Sequence, residues 1–338
     1  MVRPTNKVGP KQHLREVGIN ARTRQRYLCQ LRRFFRWVRL FAGHIPSSLP
    51  ELDRLASEFV NALWQEDDNV AYAGDFLSGL ARFVPVARDG VPITRQFLCN
   101  WRRTVTRVRA LPWSWDFTRA MAGVAWAYGR YDLAALFLVG FRGLLRTEEI
   151  VGLRPKSLLW IGRSASKVVV VLEATKTTTR KNAPEQVVVA DPCVAVALRW
   201  ACVGVGPCET VFRRPPRQFG DDIRWLAGLL GVEHPRLTAY GLRRGGATKF
   251  FHDCGSVDLL ADKGRWQSVR AARIYVDSAV AQLAFWSMLQ DSRGKLAAAL
   301  RVFNCMIRSV PELGEAQPAG EKGKVGRRGV YRPPSVGE

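Results

Sequence analysis

The stretch Leu237–Val276, LTAYGLRRGGATKFFHDCGSVDLLADKGRWQSVRAARIYV, carries the residues whose order decides how the chain is read. It holds Tyr240-Gly-Leu-Arg243, then Trp266 23 residues beyond that arginine, then Tyr275 nine residues beyond the tryptophan. A second arginine lies upstream in Gly143-Leu-Leu-Arg146-Thr-Glu-Glu149-Ile-Val-Gly-Leu153. Arginine stays charged and offers paired donors that match phosphate oxygens. Tyrosine is a phenol that attacks when it loses its proton or sits beside positive charge that favours the phenolate.

The bulk properties point to the same kind of partner. The chain has 338 residues, enough for two domains that each bury a core. Its 52 Lys+Arg against 29 Asp+Glu give a net charge of +23, which favours a polyanion. Ribosomal and membrane-surface proteins are equally basic, but 47% hydrophobic residues and 11 tryptophans describe a globular chain with sizeable cores. DNA or RNA is therefore the leading partner class. The seven cysteines are scattered without a C-x-x-C pair, which suits buried thiols in a reducing compartment. His252-Asp253-Cys254 is too short to suggest a metal site, and no cofactor is implied. The opening MVRPTNKVGPKQ has no apolar core of a signal peptide, and no run approaches a membrane span. The expected setting is intracellular and DNA-associated, and nuclear if the source is eukaryotic, where Lys322–Arg332 would be a candidate signal.

Hydrophobic periodicity predicts four helices in the first third: Asn20 to Gly43, Leu49 to Trp64, Val70 to Phe83 and Thr94 to Val108. Leu52, Leu55, Phe59, Leu63, Tyr72, Phe76, Leu80, Phe97, Trp101, Val105 and Val108 are the expected core positions of the last three. Between residues 15 and 40 stand eight arginines, Arg22, Arg26, Arg33 and Arg36 among them, against the single acid Glu16. Such a run is either a solvated helix face or a phosphate-contacting one, and the total charge adds weight to the second. Pro112 ends this region, and Trp113 and Trp115 read as packing residues. Helices are expected again at Asp116 to Tyr128, Asp132 to Leu145 and Thr147 to Leu153. Runs rich in β-branched residues at Leu158 to Ile161, Lys167 to Leu172 and Gln186 to Val189 predict a small sheet. The turn 173–184, with Lys176 and Lys181, is polar and basic. Helices follow near Cys193 to Cys202, Phe219 to Leu230 and Val280 to Phe303, the last being either core or an oligomer contact. Residues 1–17 and 306–338 are expected to be mobile.

The arginine, lysine, [Tyr240]-x-x-Arg243, Trp266, Tyr275 order resembles the active-site pattern of the tyrosine recombinase, or phage integrase, family. The specific motifs lie between residues 143 and 275, and the wider likeness spans residues 20 to 305. The resemblance implies a mainly α fold with a small β-sheet: an N-terminal helical core-binding domain over 18–108, a linker over 109–115 and a mixed α/β catalytic domain over 116–305. It also implies a double-stranded DNA partner and self-association on DNA as a tetrameric synapse. One position departs from the pattern, because Tyr240 stands where the family usually has histidine.

Each residue has an ordinary reading beside the one the resemblance implies. Either arginine alone would be a surface ion pair; in company with the tyrosine, Arg146 and Arg243 become ligands of the two non-bridging phosphate oxygens, where charge develops on attack. Tyr275 becomes the nucleophile that forms a 3′-phosphotyrosyl ester. Lys176, 30 residues after Arg146, becomes the acid that protonates the leaving 5′-oxygen, with Lys181 the second choice in the same turn. Trp266 is either core or a donor to a phosphate oxygen; indole donates and cannot act as a base. Glu149 either orients the site or caps locally. A tyrosine at 240 is a poor base at neutral pH, which puts rate in question more than reaction type. The expected activity is DNA strand cleavage and rejoining, in site-specific recombination or integration. The alternatives are a DNA-binding relative that no longer cuts, a type IB topoisomerase, and an RNA-binding protein suggested by charge alone.

Overall fold

The computed structural model describes residues 19–106, 109–161, 167–172, 185–275 and 292–308. The basic turn with Lys176 and Lys181, the N-terminal 1–17 and the tail with Lys322–Arg332 lie outside the described residues. The chain divides into two compact units, Met1–Val108 and Arg109–Glu338.

The first unit consists of α1 (Ala21–Phe41), α2 (Leu49–Gln65), α3 (Val70–Phe83), a 3-10 turn at Pro85–Arg88 and α4 (Pro92–Thr104). Short polar side chains start three of the four helices. Asn20, Ser48 and Asn69 accept from the backbone N–H groups of Thr23, Glu51 and Ala71, satisfying donors that the first helical turn leaves open. The fourth is capped from a distance: buried Asp53 of α2 accepts from the N–H groups of Ile93 and Thr94, both at 2.9 Å. The core is aromatic, with the Phe34 ring 5.4 Å from Phe59 and 4.8 Å from Phe76.

Three expected core positions are corrected here. Tyr72 and Phe97 are exposed, because the inward stripes of their helices run through Ala73, Phe76 and Leu80, and through Thr94, Leu98 and Trp101, one residue away from each. Val105 is exposed because α4 stops at Thr104 and Val105 turns to extended backbone. Val108 lies outside the described residues.

The second unit begins with α5 (Trp115–Ala127), α6 (Tyr131–Arg142) and α7 (Thr147–Val151). After a 3-10 turn at Pro155–Ser157 come β1 (Leu158–Ile161), β2 (Lys167–Leu172) and β3 (Glu185–Val189), an antiparallel sheet in that order. Then follow α8 (Pro192–Cys202), α9 (Gln218–Leu229), α10 (Tyr240–Cys254), α11 (Val257–Gly264), α12 (Val269–Arg273) and α13 (Arg293–Arg308). The fold is thus mainly α with one small sheet, as the sequence predicts. Helix α6 is the centre of this unit: Leu133–Phe141 are all buried, the pattern of a helix surrounded on every side.

Two findings here bear on the sequence expectations. Helix α6 ends at Arg142, three residues short of Leu145, because Leu144 takes a left-handed conformation with φ +49°. Helix α13 packs on α5 of its own chain, with Ala299, Phe303 and Met306 in the core of the second unit and the Ala299 carbonyl against Gly123. Of the two readings for the C-terminal helical region, core holds for this described part.

Candidate active site

Helix α10 delivers the first two residues of the site, and its glycines explain how it is placed. The segment before α5 lies along it: Leu111 N–H donates to the Arg236 carbonyl at 2.9 Å and Trp113 N–H to that of Gly241 at 3.0 Å. A Cβ on Gly245 would collide with the Trp113 main chain, so glycine allows the helix to lie flush on that segment. From the first turn of α10 the half-exposed Tyr240 faces outward and Arg243, 1% exposed, faces inward.

Arg243 is held by main-chain oxygens. Its Nη1 donates to the Leu144 carbonyl, which the left-handed turn after α6 presents, and its Nη2 donates to the Gly264 carbonyl at 2.5 Å. The guanidinium carbon lies 4.6 Å from the centroid of the Trp266 ring, a cation–π contact. Burial, reinforced by the charges of Arg146 and Arg265, pushes the Arg243 pKa down to about 10. That is still far above neutrality, so the group stays cationic.

Arg146 stands at the N-terminus of α7 and is organised by Glu149, one turn on. The buried Glu149 carboxylate accepts from the Arg146 backbone N–H at 2.8 Å and from Arg146 Nη1 at 2.6 Å. The same carboxylate accepts from Arg265 Nη2 at 2.7 Å. Glu185, the first residue of β3, adds a second carboxylate 3.6 Å from Arg265 Nε and 3.9 Å from Arg146 Nη1.

Tyr275 follows α12. Its carbonyl accepts from Thr248 Oγ1 of α10 at 2.9 Å, and its ring lies 4.5 Å from that of Trp266. The Trp266 ring in turn sits where a Cβ on Gly264 would be, so the Gly264-Arg265-Trp266 run folds back on itself. The hydroxyls of Tyr240 and Tyr275 are hydrogen-bonded to each other. Burial, and next that hydrogen bond, push the Tyr240 phenol up to about 12. At neutral pH Tyr240 is therefore protonated, able to donate and unable to act as a base.

The fold thus gathers Arg146, Glu149, Tyr240, Arg243, Trp266 and Tyr275 from four separate places in the second unit. Lys176 and its alternative Lys181 fall outside the described residues. Two residues of the cluster were not legible in the sequence. Arg265 carries no signal beyond standing next to Trp266, and Thr248 none beyond its place on α10. His252, Asp253 and Cys254 play no part in this cluster, and among the described residues no group of three or more His, Cys, Asp and Glu could hold a metal ion.

The four arginines proposed for DNA contact lie on α1 of the first unit. Arg26 makes a two-pronged pair with Asp75 of α3 at 2.6 and 2.8 Å, and Arg33 bonds Glu66 at 2.9 Å and Asp68 at 2.6 Å. Arg22 and Arg36 are exposed and have no ion-pair partner among the described residues. The acids that temper this helix come from 33 to 49 residues away, so a count of charges within α1 overstates its free positive charge.

No protein-family profile matches the sequence, and no curated protein matches it. Solved structures do. The pre-cleavage complex of the XerH site-specific recombinase with its difH substrate superposes with a TM-score of 0.51 at 12% identity, over 78% of each chain. The post-cleavage complex with a palindromic difH substrate gives 0.52 at 12% identity, over 79% of each chain. The chain therefore resembles these site-specific recombinases in fold. Among the described residues no helix is long and apolar enough to cross a membrane.

Proposed function

We propose that this chain cleaves and rejoins DNA strands through a covalent 3′-phosphotyrosyl intermediate at Tyr275. The observation that carries this reading is the placement of the Tyr275 hydroxyl beside a second phenol, with the buried cation Arg243 behind the shared Trp266 ring. The scissile phosphate, already an anion, gains negative charge on its non-bridging oxygens as the phenol adds, and the positive charges of Arg146 and Arg243 oppose it. The Tyr275 oxygen forms the new bond to phosphorus while its proton passes to solvent. Tyr240, protonated, stabilises the emerging phenolate by donating to it until the new bond takes the charge. The 5′-oxygen departs with a proton from Lys176, or from Lys181 in the same turn. Reversal by a second strand's 5′-hydroxyl rejoins the DNA without ATP, because the ester keeps the bond energy.

In this reading the first unit grips the duplex, with Arg22 and Arg36 on phosphates, and strand exchange takes place in a self-associated, four-subunit complex on DNA. The test is incubation of purified protein with nicked duplexes drawn from the source genome around the gene. The short cleaved end diffuses away and traps the adduct. A denaturation-resistant protein–DNA species that is lost in Tyr275→Phe is the expected result; an adduct that survives that change removes Tyr275 as nucleophile. A second reading, a DNA-binding protein that no longer cuts, is favoured by one observation. Tyr240 replaces a base with a phenol whose pKa is raised to about 12. Tight duplex binding without adduct, on DNA that contains the site, would select it.

A further inference from the structure

Arg265 is in a place where arginine costs free energy. It ends α11 with φ +58°, in the left-handed region that a non-glycine residue enters at a cost. Its side chain is only 9% exposed. Of its nitrogens, Nη2 reaches Glu149 at 2.7 Å and, more loosely, the Leu144 carbonyl at 3.5 Å; Nε and Nη1 are buried without a hydrogen-bond partner among the described residues. Backbone strain and a desolvated, partly unpaired cation both oppose folding, so the return must lie in what this guanidinium does to its neighbours.

Those neighbours form one charge cluster. Three guanidiniums, Arg146, Arg243 and Arg265, share a small volume with two carboxylates, Glu149 and Glu185. Without Arg265, Arg146 is the one ion-pair partner left to Glu149 among the described residues, with Arg243 acting on it as a charge at longer range, and Glu149 would draw the Arg146 guanidinium into a closed pair. With Arg265 on the other face of the carboxylate, Glu149 is shared, and the cluster carries one net positive charge, the complement of a phosphodiester monoanion.

We propose that Arg265 is a positioning residue: acting through Glu149, it sets Arg146 so that Arg146 can bind a phosphate oxyanion. The proposal deepens the strand-transfer reading and rests on it for the identity of the anion. Because it acts through Glu149, loss of Arg265 has no further effect once Glu149 is neutral, which a role of Arg265 in simple structural support would not produce.

The test uses the full chain in four forms besides wild type: Arg265→Gly, Glu149→Gln, the two together, and Arg146→Ala. Glycine relieves the left-handed strain, so Arg265→Gly is expected to fold, with a midpoint near that of wild type. The first readout needs no DNA cleavage: the rise in melting temperature caused by inorganic phosphate, of which the part lost in Arg146→Ala belongs to this site. That part is expected to vanish in Arg265→Gly and to be the same in the double variant as in Glu149→Gln. The second is the rate of adduct formation on nicked duplex. It is expected to fall about a hundredfold in Arg265→Gly, the scale of a misplaced reacting partner, with duplex affinity unchanged. A fifth form, Arg265→Lys, is expected to recover part of the rate. The proposal is overturned if wild type has no Arg146-dependent phosphate response, if Arg265→Gly keeps that response, or if the double variant loses more than Glu149→Gln. The two readings fail separately. A normal phosphate pattern without any adduct sinks strand transfer and leaves Arg265 as assigned; an adduct formed at full rate by Arg265→Gly does the reverse.

Discussion

Helices α1 and α10 both carry arginines, and they use them in opposite ways. On α1 the guanidiniums are on the surface and their partners are other side chains: Arg26 with Asp75, Arg33 with Glu66 and Asp68. On α10, Arg243 and Arg244 are 1% and 5% exposed and their partners are main-chain carbonyls of Leu144, Gly264 and Ala110. A surface pair can open to admit a phosphate at little cost, since water and salt replace the partner. A buried guanidinium bound to carbonyls cannot leave, so it offers fixed charge in a dry place. The first arrangement suits adjustable grip on a polyanion, and the second suits stabilisation of charge at a defined point.

The sharpest way to break this contrast is to remove the buried charge. Arg243→Ala takes the donor from the Gly264 carbonyl, leaves that of Leu144 only the looser contact from Arg265 and opens a void beside Trp266, and is expected to cost about 3–5 kcal/mol in urea unfolding. Arg243→Lys should recover only part of that, because one ammonium cannot reproduce the guanidinium fork. Next in size is Gly245→Ala, whose new methyl group meets the Trp113 main chain; a loss of about 1–3 kcal/mol is expected, read as a lower melting temperature.

Tyr240 gives a smaller effect with a pH signature. Tyr240→Phe removes the hydrogen bond to Tyr275 and should slow adduct formation about tenfold, with duplex affinity unchanged in an anisotropy titration. Tyr240→His should bring in a rate step near pH ~6.5, absent from wild type. Stability should respond at the other end of the scale. The Tyr240 pKa is raised from 10.0 to about 12 on folding, so in that window the folded chain holds a proton that the unfolded chain has lost. Its contribution is full below the unfolded value and is lost as pH rises through the folded one. The fall in unfolding free energy across this window should therefore be shallower in Tyr240→Phe.

The smallest effect belongs to the surface. Asp75→Asn releases Arg26 and should change stability by at most about 1 kcal/mol. It should raise affinity for duplex DNA and steepen the salt dependence by about 0.9, the value for one further phosphate contact. If affinity is unmoved, α1 is a solvated face and the grip lies elsewhere.

Much of the scaffold was legible because it rests on local rules. Apolar periodicity announces helices from Asn20, Leu49 and Val70, and the Val-rich runs at 167–172 and 186–189 announce strands of the small sheet. The three misplaced core residues in the first unit are errors of one step in helical phase or of a helix end, where periodicity is weakest. The chemical types at 146, 240, 243, 266 and 275 were legible as well, since their order along the chain does not depend on how the chain folds. Sequence by itself determined the mainly α architecture with its small sheet, the basic character and the short list of reactive side chains.

Only the tertiary structure decided which charges face which. Asp75 meets Arg26 across 49 residues, and Arg265 meets Glu149 across 116, separations at which no local pattern speaks. The left-handed turns at Leu144 and Arg265 belong to the same class: neither residue favours that conformation, and packing imposes it. The one turns a carbonyl onto Arg243 and the other brings a third guanidinium to Glu149. The reason is physical: helix and strand signals are set by neighbours in sequence, whereas the strength and direction of a charge's interactions are set by burial and by neighbours in space.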